Sequence, residues 1–194
     1  MSKERFTDWA RIKPENYRPK VENGVIVEIG PGIVNAPKIS ETLLRRIKYG
    51  AVYIGIDYFA DELHRDSFDV GELVVGDLID LPISSGLVEQ IWMMNVFSDG
   101  DHKRRSVQYT DSQLYEHFFN ELARVLKTDG TVIICDYYGD TVPIGWLRTK
   151  DYSRFGFKMR SYSRGTAYQF IEKHGITPQV SDDDPFFITL TKVR

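Results

Sequence analysis

Glu28, Gly30, Gly32, Asp57, Asp77 and Asn95 each stand at the end of a short apolar run, in the order in which a sheet would deliver them to one edge. Their types suit a polar organic ligand. An ionised carboxylate is acceptor-only, so Asp57 can receive hydrogen bonds from two vicinal hydroxyls and Asp77 from an exocyclic amine. A carboxylate at Glu28, just before two glycines, would repel a pyrophosphate but attract an ammonium or a sulfonium. Gly30 and Gly32 carry no side chain, so backbone can approach a ligand closely. Each residue also has a plainer reading. The glycines can make a tight turn, Asp57 can close a strand, Asp77 can cap a short helix, and Asn95 can satisfy backbone at a strand end. The ordered recurrence of all of them is what points to a site.

The elements that must carry these residues follow from periodicity. Val25–Ile29 reads as a buried strand, closed by Gly30, Pro31 and Gly32. Ile39, Leu43, Leu44 and Ile47 have helical spacing, with Gly50 as a stop. Further strands are expected at 52–56, ending at Asp57, at 72–75, ending at Gly76 and Asp77, and at 88–94. Leu114, Phe118, Leu122 and Val125 place an apolar stripe on one helix. Asp129 and Gly130 are expected to separate that helix from a strand at 131–135. A helix near 166–174 and a strand at 186–193 complete the pattern. Strands alternating with helices predict an α/β fold with a mostly parallel sheet, whose ligands bind beyond the carboxyl ends of the strands. Two stretches, 98–112 and 138–165, read as irregular and follow strand ends, which makes them candidate lid or substrate segments; residues 1–21 read as an N-terminal extension of a single domain.

The motifs resemble those of the class I S-adenosylmethionine-dependent methyltransferases. Val27-Glu28-Ile29-Gly30-Pro31-Gly32 is similar to the family's first motif and Gly55-Ile56-Asp57 to its second. Gly76-Asp77-Leu78-Ile79-Asp80-Leu81-Pro82 is close to the adenine-side motif, and residues 119–130 match the helix and turn before the fifth strand. The resemblance covers roughly residues 22 to 137. It implies a Rossmann-like sheet of seven strands with helices on both faces and the last strand antiparallel. It also implies S-adenosyl-L-methionine as cofactor, held by Glu28, Gly30, Gly32, Asp57, Asp77, Leu78 and Asn95, and methyl transfer as the activity. Val34 stands where the family has its third glycine. A dinucleotide site is the competing reading of the same loop, but the G-x-G-x-x-G fingerprint requires glycine where this chain has Asn35.

The acceptor is less legible. His102 lies among Asp99, Asp101 and Lys103, where an imidazole with an ordinary pKa can take a proton from a substrate hydroxyl or amine. A solvated loop histidine is its plainer reading. Arg148, Lys150, Arg154, Lys158, Arg160 and Arg164 alternate with Tyr152, Phe155, Phe157 and Tyr162, and with Lys103, Arg104 and Arg105 they favour an anionic or aromatic small molecule. Such residues also suit single-stranded nucleic acid, or simply a surface segment with its aromatics in the core. A net charge of −3 argues against general affinity for nucleic acid, which stays second to a small-molecule acceptor. Asn95 is followed by Val96-Phe97 rather than the Pro-Pro-aromatic motif of amino-methylating enzymes, and Cys135 has no preceding proline. A nucleic-acid or protein methyltransferase, and a catalytically silent cofactor-binding partner, are the alternatives.

At 194 residues with 42% hydrophobic and 27% charged residues, the chain has the composition of one globular domain. The single cysteine excludes an internal disulfide, and no histidine pair has metal-ligand spacing, so no metal is expected. Charge occupies the first residues where a signal peptide has its apolar core, and no apolar run approaches the roughly 20 residues that span a bilayer. A cytoplasmic protein without membrane contact is the expectation; the pattern says nothing of its oligomeric state.

Overall fold

In a computed structural model, residues 24–30, 50–57, 71–94, 96, 111–137, 151–174 and 185–193 are described. Their strands are β1 (Val25–Ile29), β2 (Val52–Asp57), β3 (Glu72–Val75), β4 (Val88–Met94), β5 (Leu126–Tyr137), β6 (Phe157–Ser161) and β7 (Pro185–Lys192). The helices are α1 (Asp111–Val125) and α2 (Arg164–His174), with a single 3-10 turn at Tyr152–Phe155. The strands form one seven-stranded sheet in the order β3-β2-β1-β4-β5-β7-β6. Neighbours from β3 through β5 pair in parallel, whereas β7 is antiparallel to both β5 and β6. This is the α/β architecture the sequence implies.

Side chains alternate across the pleat and divide the core in two. Val25, Val27 and Ile29 of β1 join Ile54, Ile56, Ile91, Met93, Val132 and Ile134 on the face covered by α1. Ile26, Tyr53, Trp92, Met94, Ile133, Cys135 and Phe187 lie on the other face, where α2 brings Ala167. Burial on both faces is why these central strands read as unbroken apolar runs. Each fully buried Ile, Leu or Phe contributes about 1.5–3 kcal/mol over an exposed one.

Helix α1 presents Leu114, Phe118, Leu122 and Val125 to the sheet, all buried. Its last turn is closed from a distance: Lys192 Nζ donates to the carbonyls of Ala123 and Leu126, each at 2.7 Å. A cation there satisfies orphan carbonyls and complements the helix dipole.

Two expectations require correction. Asp129 and Gly130 do not separate helix from strand, because β5 begins at Leu126, directly after α1. They lie instead in an excursion within the strand: Val88 pairs with Leu126 but Gln90 with Thr131. Asp129 takes a left-handed φ of 64°, and a Cβ on Gly130 would fall 2.8 Å from the Lys127 carbonyl oxygen. The second correction concerns 138–165, expected to be irregular. Residues 157–161 form the edge strand β6, with Phe157 buried and Lys158 and Arg160 exposed. Charges at the outward positions suit an edge strand, since they discourage pairing with another chain. The same charges hid its alternation in the sequence. Residues 138–150 lie outside the described residues.

Candidate functional site

The carboxyl ends of β1, β2 and β3 are laced together through backbone. Gly30 N–H donates to the Ile56 carbonyl at 2.9 Å, and Gly76 N–H donates to the Asp57 carbonyl at 2.8 Å. Gly30 has a left-handed φ of 66°, and a Cβ there would come within 3.2 Å of Val96 Cγ2. The loop leaving β1 and the residues after β4 therefore meet at a point where a side chain would crowd. That close approach is the concrete reason for glycine at position 30.

Glu28 and Asp57 share one face of the sheet. Glu28 pairs across to Gly55 of β2 and Trp92 of β4, and Asp57 lies two residues beyond Gly55. Both carboxylates are buried, at 4% and 8% exposure, at a sheet edge where buried charge is costly without partners. One partner of Glu28 is Tyr53, whose hydroxyl donates to Oε2. Burial and the Glu28 charge hold the Tyr53 phenol well above its ordinary pKa, so it remains a donor.

Asp77 is placed differently. Its Oδ1 accepts from Ile79 N–H at 3.0 Å, and Asp80 N–H donates to its carbonyl at 3.1 Å. The carboxylate thus shapes its own turn, the plainer of the two roles open to it, while retaining acceptor capacity. Leu78, in the same turn, is half-buried against the core on the α1 side. Gly32, Asn95 and His102 lie outside the described residues, as do Lys103, Arg104 and Arg105. Glu28, Gly30, Asp57, Asp77 and Leu78 are gathered at the carboxyl ends of three adjacent strands.

The basic and aromatic stretch does not converge there. Tyr152, Phe155 and Phe157 are buried in the core. Phe119 of α1 meets the Tyr152 ring edge-on at 5.0 Å and the Phe155 ring at 5.6 Å. Burial pushes the Tyr152 phenol up. Phe157 pairs with Lys192, and Thr191 pairs with Thr131 near the start of the parallel part of β5, which sets the 3-10 turn and Phe157 at the amino edge of the sheet; β6 then runs toward the carboxyl edge, but as the outermost strand, four strands from β1. Of the readings open to this stretch, a surface segment with its aromatics in the core is the one that holds for Tyr152, Phe155 and Phe157. Their aromatic surface is consumed by helix packing.

Three contributions were not legible beforehand. Tyr53 is one. The second is a brace beneath the Asp77 turn: Arg124 donates to the Leu81 carbonyl at 2.9 Å, to the Ile83 carbonyl at 2.8 Å and to Glu121 Oε2 at 2.7 Å. Glu121 Oε1 in turn accepts from Leu81 N–H at 2.8 Å. Both residues fall in the 119–130 motif, which marked them without assigning a task. The third is Asp136, a carboxylate with 1% exposure near the carboxyl end of β5. Beside it, burial and the Asp136 charge push the Cys135 thiol up to about 12, which leaves it protonated and unreactive at neutral pH.

No protein-family model and no curated protein matches the sequence. Solved structures do match the fold. A TehB-like SAM-dependent methyltransferase from Corynebacterium glutamicum superposes with a TM-score of 0.55 at 19% identity, covering 88% of this chain and 80% of that one. Phosphoethanolamine N-methyltransferase 2 from Haemonchus contortus, in complex with S-adenosyl-L-methionine, gives a TM-score of 0.50 at 13% identity, covering 97% of this chain and 52% of that one. The [4+2]-cyclase SpnF gives 0.52 at 16% identity, covering 90% and 77%. The chain has the Rossmann-like fold of the S-adenosylmethionine-dependent methyltransferases.

Proposed function

We propose that the chain is an S-adenosylmethionine-dependent methyltransferase acting on a small anionic or aromatic acceptor. The observation that carries this reading is the pair of buried carboxylates, Glu28 and Asp57, on one face at the ends of adjacent strands, beside a loop that a Cβ at Gly30 would crowd. Carboxylates beside a glycine turn at the strand ends suit a cationic amino-acid nucleoside and disfavour a pyrophosphate. When bound, the cofactor supplies a methyl group already activated on a sulfonium.

Each residue then has a task of binding or orientation. Asp57 accepts the ribose hydroxyls, Asp77 and Leu78 flank the adenine, and the Gly30–Gly32 backbone with Glu28 receives the methionine end. Asn95, which follows β4 in the sequence, is assigned to the same ligand. Residues 98–110 follow β4 in the sequence, Asp111 and Ser112 already belonging to α1 rather than to the irregular segment expected, and in this reading 98–110 cover the acceptor. Arg104 and Arg105 attract the acceptor's anionic group, and His102 takes its proton. Orientation and exclusion of water supply most of the acceleration in such a transfer, since the leaving group is already in place.

The SpnF likeness favours keeping one other reading, a cofactor-binding protein that transfers no methyl group, because that protein is a cyclase on the same fold. Methylation of a base carbon through a cysteine nucleophile is disfavoured by the buried, high-pKa thiol of Cys135. No helix among the described residues is long and apolar enough to cross a membrane.

Calorimetry tests the cofactor directly. S-adenosylmethionine and S-adenosylhomocysteine are expected to bind in the micromolar range, about −7 to −8 kcal/mol. Binding of a nicotinamide dinucleotide with neither of these detected would overturn the reading. Acceptor-dependent conversion of one to the other separates an enzyme from a silent binder.

A further inference from the structure

Resting on that cofactor reading, we infer that Tyr53 is a positioning residue, which fixes the Glu28 carboxylate in one orientation beneath the Gly30 loop for a cationic group of the ligand. The sheet register sets up the contact. Ile26 pairs with Tyr53 and Glu28 with Gly55, so the phenol reaches diagonally toward Glu28 past a residue without a side chain. On the other flank Trp92 pairs with Glu28. Tyr53 is 1% exposed, and its hydroxyl donates to Glu28 Oε2 from the interior of the sheet. The donor thus approaches from the core and the ligand loop begins two residues further along β1.

A contribution to stability alone does not account for this pair. Replacing both members of a buried hydrogen-bonded pair by apolar groups of similar shape is commonly neutral or stabilising. The same face is otherwise built from Ile26, Trp92, Met94, Ile133 and Phe187. A carboxylate and a phenol set into it, at the mouth of the glycine loop, have the character of a site in which charge is held ready. The titratable groups near Glu28 on this face, among the described residues, are Tyr53 and Asp57 of β2 and Cys135 of β5; Tyr162 and, on β6, Lys158 and Arg160 share the face but stand on its far side, β6 being four strands from β1. Strand β4 presents Trp92 and Met94, and α2 brings Ala167 and Phe170. Asp57 repels a second negative charge and Cys135 is protonated, whereas the Tyr53 hydroxyl donates directly to Glu28 Oε2 and so favours the charged form of that carboxylate. The phenol's own proton is secure, because burial and Glu28 hold its pKa well above the ordinary value.

The test is calorimetry of S-adenosylmethionine and S-adenosylhomocysteine across the neutral and mildly acidic range, on the wild type, Tyr53→Phe and Glu28→Gln, with thermal unfolding alongside. Tyr53→Phe is expected to unfold within a few degrees of the wild type and to lose about tenfold in affinity for both ligands. That loss should deepen as pH falls, because a buried carboxylate deprived of its donor takes up a proton more readily. The wild type should vary less over the same range, and Glu28→Gln should bind weakly at every pH. Wild-type affinity in a folded Tyr53→Phe, or a loss without added pH dependence, would overturn the inference. Should Tyr53→Phe fail to fold, Glu28→Gln decides. It keeps an acceptor for the phenol and removes only charge, so unaltered binding overturns the proposal. If the wild type binds neither ligand, the cofactor reading itself falls, an outcome visible before any variant is compared.

Discussion

The two halves of the sheet are built to different ends. From β3 to β1 the strands finish in acids and glycines: Glu28 and Gly30, Asp57, and Gly76 and Asp77. Their ends are tied to one another by backbone hydrogen bonds. From β5 through β7 to β6 the space is filled by rings. Tyr162 stacks on Phe187 at 4.3 Å, Phe187 on Phe170 at 4.3 Å, and Phe170 on Trp92 at 5.9 Å. On the opposite face Phe119 carries Tyr152 and Phe155. One half holds Glu28 and Asp57 buried at its mouth; the other, apart from Asp136 at the end of β5, buries aromatic area and sets a half-buried lysine to cap α1. Substitutions in the two halves should therefore separate binding from stability.

The largest effect expected is on stability, at Phe119. It is fully buried and touches both sheet and 3-10 turn, so Phe119→Ala opens a cavity and removes edge-to-face packing. The destabilisation should be about 3–5 kcal/mol, measured by urea unfolding. At temperatures where the variant remains folded, cofactor affinity should match the wild type. A large loss of affinity in the folded variant would show that the halves are not separable.

Asp57→Ala is the converse test. It should weaken binding of S-adenosylmethionine by about 1.5–3 kcal/mol, since hydrogen bonds to a charged acceptor are lost. The unfolding midpoint should move little, because removing a buried carboxylate also removes a desolvation cost. Calorimetry and thermal unfolding on the same sample read both quantities. Unchanged affinity in a folded variant would remove Asp57 from the site.

What could be read from the sequence follows this division. In the binding half, apolar runs stop abruptly at Gly and Asp, so the expected limits of β1 and β3 match the structure and those of β2 differ by one residue; β4, which ends before Asn95, matches as well. The partners of those end residues were not legible, since Tyr53 and Glu28 meet only once the β1–β2 register is set. In the aromatic half the local signals misled. Lys158 and Arg160 made β6 resemble a solvated basic loop, although Phe157 and Met159 alternate with them toward the core. Asp129 and Gly130 carried a turn signal that was real, but the turn interrupts a strand rather than ending a helix. Gly50, expected to stop a helix, does adopt a left-handed φ of 93°; the helix expected at 39–47 lies outside the described residues.

The smallest effect expected falls where the two halves touch. Arg124 stands on α1, in the last turn of a helix packed on the sheet, yet its guanidinium donates to the carbonyls of Leu81 and Ile83 in the segment that follows the Asp77 turn. Glu121 holds the guanidinium and also receives Leu81 N–H, so the pair grips that segment from both its donor and acceptor sides. The planar fork matters more than the charge here, because lysine cannot reach two carbonyls and a carboxylate in one plane. Arg124→Lys keeps the cation at the helix end and should cost about 1 kcal/mol or less in stability, as the side chain is about a third exposed and its ion pair is screened. Looser anchoring of the segment should carry over to Asp77 and Leu78 as a weakening of cofactor binding by about twofold to fivefold, below the effect of Asp57→Ala. Weaker binding of S-adenosylmethionine in Arg124→Lys, with the fold intact, would make α1 the mechanical link between the halves. Affinity untouched in Arg124→Lys and also in Glu121→Gln would leave the brace a matter of helix docking alone, and the Asp77 turn would then hold its shape through Ile79 and Asp80 without help from below.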